Sequence, residues 1–246
     1  MAHHPLDNIV VMLKGTKHPG NIGSVARAMN NMGLKNLVLA GPQCEVNEES
    51  FRLARAGGDV LDRAKTFRSM KSAWRGIRML VGTTGKTGGD RAQACSPRLL
   101  APRIIDHAAR QKVGILFGPE DTGLIDSDLA PCQMLIRIPT HPDARSINLA
   151  HAVMLVSYEL FLAHLERDPV RVPKLAAVEQ VEAMYSQLEK ALQDIGFLQE
   201  QNTKHMMFGL RRIMGRAGLE ARDVGIFRGI ARQIAWHARK GSRNGR

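Results

Sequence analysis

The sequence predicts an α/β protein with a mostly parallel sheet, helices on both faces of that sheet, and a small all-helical domain at its C-terminal end. Short apolar runs alternate with helical stretches over residues 1–165, which is typical of parallel strands joined by helices. The alternation stops at Glu166–Lys174, where two prolines and mixed charge predict a linker. Only amphipathic helical patterns follow. We therefore expect a domain of residues 1–165, a linker of residues 166–174 and a basic helical extension of residues 175–246.

The predicted strands share a short, almost uninterrupted apolar character, as expected of strands that are buried on both faces. They are Asn8–Leu13, Asn36–Leu39, Ile77–Val81, Val113–Phe117 and Met134–Ile138. The last two end abruptly in loops rich in glycine, proline and small polar residues. Ligand sites in α/β proteins are usually built at such strand ends, so these two loops are the first candidates for a functional site.

The predicted helices follow from apolar spacing and from residues that start and stop helices. After the first strand, an apolar face of Ile22, Val25, Ala26 and Met29 predicts a helix with Asn21 as its N-cap and Gly33 as its stop. Ser96–Gln111 is predicted as a second long helix, and SINLAHAVMLVSYELFLAHL as a third whose first turn presents Ser146 and Asn148. Residues 46–76 are predicted to form short helices. Many cations lie in or just after this stretch: Arg52, Arg55, Arg63, Lys65, Arg68, Lys71, Arg75 and Arg78.

The charge of the chain points towards a phosphate-bearing partner. Lysine and arginine total 35 against 23 acidic residues, for a net charge of +12. Residues 204–246 alone hold eleven lysines and arginines against two acids. Aromatic residues make up only 4% of the chain, which disfavours stacking platforms for single strands and favours structured RNA recognised through shape and phosphates. The alternative is a basic surface that serves solubility alone.

The chain shows no sign of secretion, membrane insertion or metal binding. MAHHPLDN lacks the apolar core of a signal peptide, and no run of apolar residues is long enough to span a bilayer. Cys44, Cys95 and Cys132 are widely spaced and odd in number, which indicates neither disulfides nor a zinc site. We expect a cytoplasmic protein with reduced cysteines, no metal and no membrane partner.

Three motifs carry the functional prediction. GTTGKT at Gly82–Thr87 ends like a phosphate-binding P-loop but has Leu80 where that motif needs glycine, so it predicts a ligand loop or a plain tight turn. HPGNIGSVAR places Arg27 on a mostly apolar helix, where it would bind a carboxylate or a phosphate. FGPEDTGL surrounds Glu120 with glycines that permit close backbone approach, or is a capped turn into a short helix near Asp126.

Taken in order, NIGSVARAMNNMG, LFGPEDTGL and IPTHPDARSINLAHAV resemble the three motifs of the SPOUT RNA methyltransferases, and more closely those of its TrmH-like branch. The first strand, the HPGN loop, the length and the basic helical extension resemble the TrmJ family within that branch. This resemblance implies a Rossmann-like sheet with a C-terminal trefoil knot, S-adenosyl-L-methionine as cofactor, a homodimer, and tRNA as substrate. It also implies 2′-O-methylation of C or U at nucleotide 32 of the anticodon loop.

The resemblance also implies a role for particular residues. The residues it assigns to catalysis are Asn21, Arg27, Glu120, Ser146 and Asn148. Those it assigns to the cofactor are Thr83, Thr84, Gly85, Gly118, Ile138, Arg145, Ser146, Ile147 and Leu149. Candidates for RNA phosphates are Arg27 together with Lys204, Arg211, Arg212, Arg216, Arg228, Arg232 and Arg239 in the extension, although their spacing also fits a solvated helix face.

The chemistry implied is transfer of a methyl group from a sulfonium to a ribose 2′-oxygen. Because a guanidinium has a pKa above about 12, we expect Arg27 to bind the adjacent phosphate and orient the hydroxyl rather than to act as a base. Ser146 or the phosphate would then take part in proton transfer. Two other readings remain: the same chemistry on another tRNA ribose or on ribosomal RNA, and a knotted protein that binds RNA without catalysis.

Overall fold

The computed structural model describes residues 4–86, 93–141, 143, 146–166 and 174–244. It divides the chain into two compact units, Met1–Lys174 and Leu175–Arg246. The first unit contains the sheet and the second contains helices.

Six parallel strands form the sheet of the first unit. They are β1 (Ile9–Lys14), β2 (Asn36–Ala40), β3 (Lys65–Phe67), β4 (Met79–Thr83), β5 (Val113–Phe117) and β6 (Met134–Ile136), in the spatial order β3-β2-β1-β5-β4-β6. Every described strand pair is parallel. Residues 9–13 of β1 lie in register with residues 113–117 of β5, so the loops after these two strands leave the sheet at the same edge.

The helices of the first unit are α1 (Pro19–Asn31), α2 (Glu48–Ala54), α3 (Gly58–Asp62), α4 (Met70–Ala73), α5 (Pro97–Ala108), α6 (Asp126–Leu129) and α7 (Leu149–Leu165). Short 3-10 turns cover Pro5–Asn8 and Arg55–Gly57. The predicted apolar face of α1 is buried, with Ile22, Val25 and Met29 fully inside. Gly33 follows the helix with a φ of 71°, the left-handed conformation that ends many helices.

The second unit is a group of three helices, α8 (Val178–Asp194), α9 (Thr203–Ala217) and α10 (Ala221–Asn244). Its core is formed by side chains from all three helices, among them Met184, Met207 and Val224. A backbone bridge between Leu175 and Glu220 joins the start of the unit to the turn before α10. The three helices therefore share a buried core, while Ile213, Ile226, Ile230 and Trp236 remain exposed.

Several predictions about the elements were wrong. Strand β3 was missed because it is a short edge strand with exposed polar residues, and such strands carry no apolar signal. β4 begins at Met79 rather than at Ile77, and β6 ends at Ile136 rather than at Ile138. On the edge of β6 that faces away from β4, Leu135 O and Arg137 N pair with the backbone of Cys95.

The predicted trefoil knot depends on how the chain passes through the loops that follow β4 and β6. Residues 87–92, 142, 144 and 145 of these loops lie outside the described residues, so the knot stays a prediction. Among the helices that the structure describes, none combines the length and apolar character needed to cross a bilayer.

Candidate active site

A cavity opens at the edge of the sheet where β5, β4 and β6 end. The three strands are neighbours, so the loops that follow them meet. Together with the start of α7 they enclose about 560 Å³, a size typical of small-molecule sites. Its lining consists of Thr83, Thr84, Gly85, Lys86, Phe117, Gly118, Pro119, Glu120, Asp121, Thr122, Gly123, Leu124, Ile136, Ile138, Ser146, Ile147, Leu149 and Ala152.

The loop after β5 is folded back tightly upon itself. A Cβ atom at Gly118 would lie 2.3 Å from the carbonyl carbon of Gly123 and 2.4 Å from the nitrogen of Leu124. Gly123 N donates to Pro119 O over 2.9 Å, and Gly123 has a φ of 65°. Only glycine at position 118 permits this approach, which aims the loop into the cavity. The predicted short helix after the loop is α6.

The end of β4 and the loop after it form one wall of the cavity, and hydrogen bonds fix their position. Thr83 Oγ1 donates to Leu116 O over 2.9 Å, and Thr84 N donates to Ile136 O over 2.9 Å. Thr84 Oγ1 accepts from Lys86 N over 3.2 Å. These bonds tie the loop to the strands on either side. Residues 83–86 of the predicted ligand loop Gly82–Thr87 line the cavity, and Thr87 lies outside the described residues.

A polar network joins all three sequence motifs beside the cavity. Asn21 Nδ2 donates to Glu120 Oε1 over 2.8 Å, and Asn148 Nδ2 donates to Asn21 Oδ1 over 3.4 Å. Lys17 N also donates to Glu120, over 3.3 Å. Residues that lie 99 and 127 positions apart in the sequence therefore meet through their side chains, which a turn or a cap alone does not require.

Two helix-start assignments from the sequence were wrong. Asn21 is not the N-cap of α1, since the helix begins at Pro19 and His18 occupies that position. This frees the Asn21 amide for Glu120. The first turn of α7 does not contain Ser146 or Asn148, because the helix begins at Leu149 with Asn148 as N-cap, accepting from Ala150 N over 2.9 Å.

The structure brings most of the predicted cofactor residues to the cavity wall. Those present are Thr83, Thr84, Gly85, Gly118, Ile138, Ser146, Ile147 and Leu149. Arg145 lies outside the described residues. Arg27 lies on α1 six residues beyond Asn21, is exposed, does not line the cavity of its own chain, and has no ion pair within the described part of the chain. A phosphate or a second copy of the chain can therefore reach it.

Sequence reasoning missed an ion pair at the rim of the cavity. Lys17 Nζ contacts Asp121 Oδ2 over 2.6 Å, and this bond lowers the pKa of the Asp121 carboxyl. Nearby, burial raises the pKa of the Cys44 thiol, and the negative charge of Glu120 raises it further. The only sequence signal for this pair was the basic loop KGTKHPGN after β1. Within the described residues, no group of histidine, cysteine and acidic side chains is placed to hold a metal ion.

The basic residues of the second unit are not equivalent. Arg211 is 16% exposed, forms an ion pair with Glu182 and stacks over the ring of Tyr185, so it stabilises the helix packing. Arg228 Nε donates to Gln187 over 3.2 Å, and Arg212 also has a partner. The other predicted phosphate ligands are exposed: Lys204, Arg216, Arg232 and Arg239.

Comparison with known proteins agrees with this arrangement. Residues 8–158 match the SpoU rRNA Methylase family, and residues 179–244 match the C-terminal domain of the tRNA methyltransferase TrmJ. The tRNA (cytidine/uridine/adenosine-2′-O-)-methyltransferase TrmJ of Pseudomonas aeruginosa is 35% identical over 92% of this chain and 93% of its own length. The crystal structure of TrmJ from Z. mobilis is similar with a TM-score of 0.78 and 30% identity, covering 92% of this chain and 98% of that one.

A more distant neighbour bears on the cofactor. The SpoU methyltransferase AviRb from Streptomyces viridochromogenes, solved in complex with AdoMet, is 25% identical, with a TM-score of 0.52 over 65% of this chain and 62% of that one. The cavity described above has the mixture of backbone groups and apolar side chains that such a ligand requires. This chain belongs to the SpoU methylase family and, through its C-terminal domain and its relatives, to the TrmJ family of S-adenosyl-L-methionine-dependent tRNA 2′-O-methyltransferases.

Proposed function

We propose that this protein transfers a methyl group from S-adenosyl-L-methionine to the ribose 2′-oxygen of C or U at nucleotide 32 in the anticodon loop of tRNA. The observation that carries the proposal is the network through which Asn148, Asn21 and Glu120 meet beside the cavity. A cofactor pocket alone serves any methyltransferase, whereas polar side chains from three motifs at its rim suit a second substrate that bears hydroxyl groups and phosphates.

The residues of the cavity fit the cofactor. The loop after β4 offers backbone groups at Thr83, Thr84 and Gly85, and Ile138, Ile147 and Leu149 supply apolar contacts. At Gly118 the space for a side chain is filled by the backbone of Gly123 and Leu124, so the absence of a side chain lets the loop fold into this part of the wall. When bound, the cofactor supplies an electrophilic methyl group on a sulfonium. The chain itself must hold the ribose hydroxyl in line with that methyl group and help to remove its proton.

Within this proposal, Asn21 and Glu120 hold the rim of the cavity in place. Ser146, whose hydroxyl lies on the cavity wall, takes part in transferring the proton away from the ribose 2′-oxygen. Arg27 binds the phosphate next to the target ribose. Because Arg27 does not line the cavity of its own chain, we propose that it works in the cavity of a partner subunit within a homodimer. An apolar surface is exposed for such a dimer on α5 and α7, which pack together: Leu99, Leu155, Tyr158 and Leu165.

The helical extension is proposed to hold the body of the tRNA. The exposed cations on α9 and α10 that would contact tRNA phosphates are Lys204, Arg216, Arg232 and Arg239. The compartment that we propose for the protein is the cytoplasm. Removal of residues 175–246 should then weaken tRNA binding far more than cofactor binding, when the two dissociation constants are measured separately. Equal losses would contradict this division of labour.

The direct test is methyl transfer from labelled cofactor to unmodified tRNA transcripts, followed by mapping of the modified nucleotide. We expect 2′-O-methylation at nucleotide 32 that disappears in Arg27→Ala. Transfer to another tRNA ribose or to ribosomal RNA would refute the assignment of the nucleotide but keep the chemistry. Cofactor binding with no transfer to any RNA would favour a protein that only binds RNA.

The role of Arg27 has its own test. If the guanidinium binds a phosphate, Arg27→Lys should keep part of the activity and leave the shape of the pH–rate profile unchanged, while Arg27→Ala should lose the activity at every pH. A pH–rate profile that moves with the residue at position 27 would instead identify it as the base.

A further inference from the structure

The segment from Ser50 to Gly57 lies along α1 and is fastened to it at three points. Ser50 Oγ donates to Pro19 O over 2.9 Å at the start of α1. One turn later, a Cβ at Gly23 would lie 2.1 Å from Ser50 O. Further along, a Cβ at Gly57 would lie 2.7 Å from Ala26 O and 2.9 Å from Arg27 N. Residues 50–57 are thus held rigidly against the helix that carries Arg27.

Between these anchors the segment presents two cations and an aromatic ring to solvent. Arg52 and Arg55 are exposed, and Phe51 is 43% exposed. Neither arginine forms an ion pair with a described residue, even though Glu48 and Glu49 precede them on α2. No acidic residue occurs from position 50 to position 58. An exposed aromatic ring in the same short segment as two unpaired arginines suits a partner that offers both negative charge and flat apolar faces.

Arg55 has a backbone conformation that disfavours an arginine. Its φ is 52° and its ψ is −122°, and it is the one non-glycine residue with positive φ in the described part of the chain. Glycine adopts this conformation without steric cost. A strained residue that leaves a long cation exposed and unpaired is better explained by binding than by folding.

Arg27 and Arg55 lie close to each other in the folded chain. Gly57 touches the backbone of Arg27, and Arg55 precedes Gly57 by two residues, so the Cα atoms of the two arginines lie within about 14 Å of each other. Two long side chains at that separation reach the same stretch of RNA backbone.

We propose that Arg27, Phe51, Arg52 and Arg55 form one RNA-binding patch that holds the nucleotides beside the methylated ribose. Arg52 and Arg55 bind phosphates next to the one bound by Arg27, and Phe51 stacks on a base. This inference rests on the proposed function, since it adds to the RNA contacts of that same site. It places substrate recognition in the first unit as well as in the helical extension.

The experiment measures tRNA affinity over a range of KCl concentrations for the full-length protein and four variants. Arg52→Ala and Arg55→Gly each remove one proposed phosphate contact, and Phe51→Ala removes the ring. Lys112→Ala removes an exposed cation just before β5, at the edge of the sheet opposite the cavity, and is the control for net charge. Cofactor affinity and thermal unfolding are measured for each variant, because intact values show that the fold is retained.

We expect Arg52→Ala and Arg55→Gly each to weaken tRNA binding about tenfold at low salt and to reduce the slope of log K against log[salt] by about 1. Phe51→Ala should weaken binding about fivefold or more without changing the slope. Lys112→Ala should change neither quantity. Arg55→Gly is the sharpest variant, because removal of strain should keep or raise the melting temperature while tRNA affinity falls.

Unchanged tRNA affinity in Arg52→Ala and Arg55→Gly would overturn the patch. If the wild-type protein still methylates tRNA in that case, the proposed function stands and only this inference fails. If the wild-type protein methylates no tRNA, the proposed function fails instead. A loss of tRNA affinity accompanied by an equal loss of cofactor affinity or by early unfolding would mean that the segment is structural, and it too would overturn the patch.

Discussion

Replacement of Gly118 by alanine tests whether close backbone approach shapes the cofactor cavity. The new Cβ would lie 2.3 Å from the carbonyl carbon of Gly123, whereas ordinary contacts begin at 3.4 Å, so the backbone must move by about 1.1 Å. Overpacking of this kind costs about 1–3 kcal/mol of folding stability. A shift of about 1 Å at a binding site can cost about a hundredfold in function. We therefore expect cofactor affinity to fall by about two orders of magnitude.

Gly123→Ala is the matched control within the same loop. Gly123 also needs positive φ, at 65°, but no atom lies within 4 Å of the Cβ it would gain. The change should cost about 1–2 kcal/mol of stability through backbone strain alone and should weaken cofactor binding only slightly. Calorimetric titration with S-adenosyl-L-methionine and thermal unfolding of both variants make the comparison. Cofactor binding by Gly118→Ala that matches the wild-type protein would refute the reasoning.

Three further predictions concern groups whose surroundings the structure defines. Asn21→Ala and Glu120→Ala should each lower kcat/KM by about ten- to hundredfold, because each removes the same charged hydrogen bond. The double variant should lose no more than either single variant, and losses that add up in steady-state kinetics would contradict this coupling. Burial raises the pKa of Tyr185 to about 12, so the folded state keeps a proton that the unfolded state loses near pH 10. Stability should fall as the pH rises between those values, and urea unfolding of Tyr185→Phe should lack that dependence. Burial, and then the charge of Arg103, lowers the pKa of His107, so the unfolded state takes up a proton below pH 6.5 that the folded state does not. The free energy of unfolding should therefore fall as the pH drops below 6.5, and that of His107→Gln should not change in that range.

The network of Asn148, Asn21 and Glu120 shows why the role of each of these residues could not be predicted from its local sequence alone. An asparagine near a helix start is most simply an N-cap, and Asn148 has that role for α7. Asn21 does not, because Pro19 starts α1 two residues earlier. Its amide instead bridges Glu120 and Asn148. Two asparagines near helix starts thus have different roles, and only the positions of the neighbouring elements distinguish the two roles.

Much of the architecture was predictable because it depends on local patterns. Buried strands such as Val113–Phe117 are continuous apolar runs, and α1 displays its buried face every three or four residues. The linker at Glu166–Lys174 was predicted from composition. The boundary between the two compact units falls between Lys174 and Leu175 in the sequence. Strand β3 was not predictable, because Lys65–Phe67 is an edge strand whose pairing with β2 is decided by the backbone of its neighbour.

The sequence by itself determined the fold class and the order of the motifs, because apolar periodicity and motif spacing are local properties of the chain. Its resemblance to a known family supplied the candidate residues of the site. Only the tertiary structure decided which of these residues meet. It brought Gly118 and Leu149 to one cavity and left Arg27 outside it, and it placed Arg55 close to Arg27. Such proximity depends on strand order and helix packing between segments far apart in sequence, and no local pattern of residues contains that information.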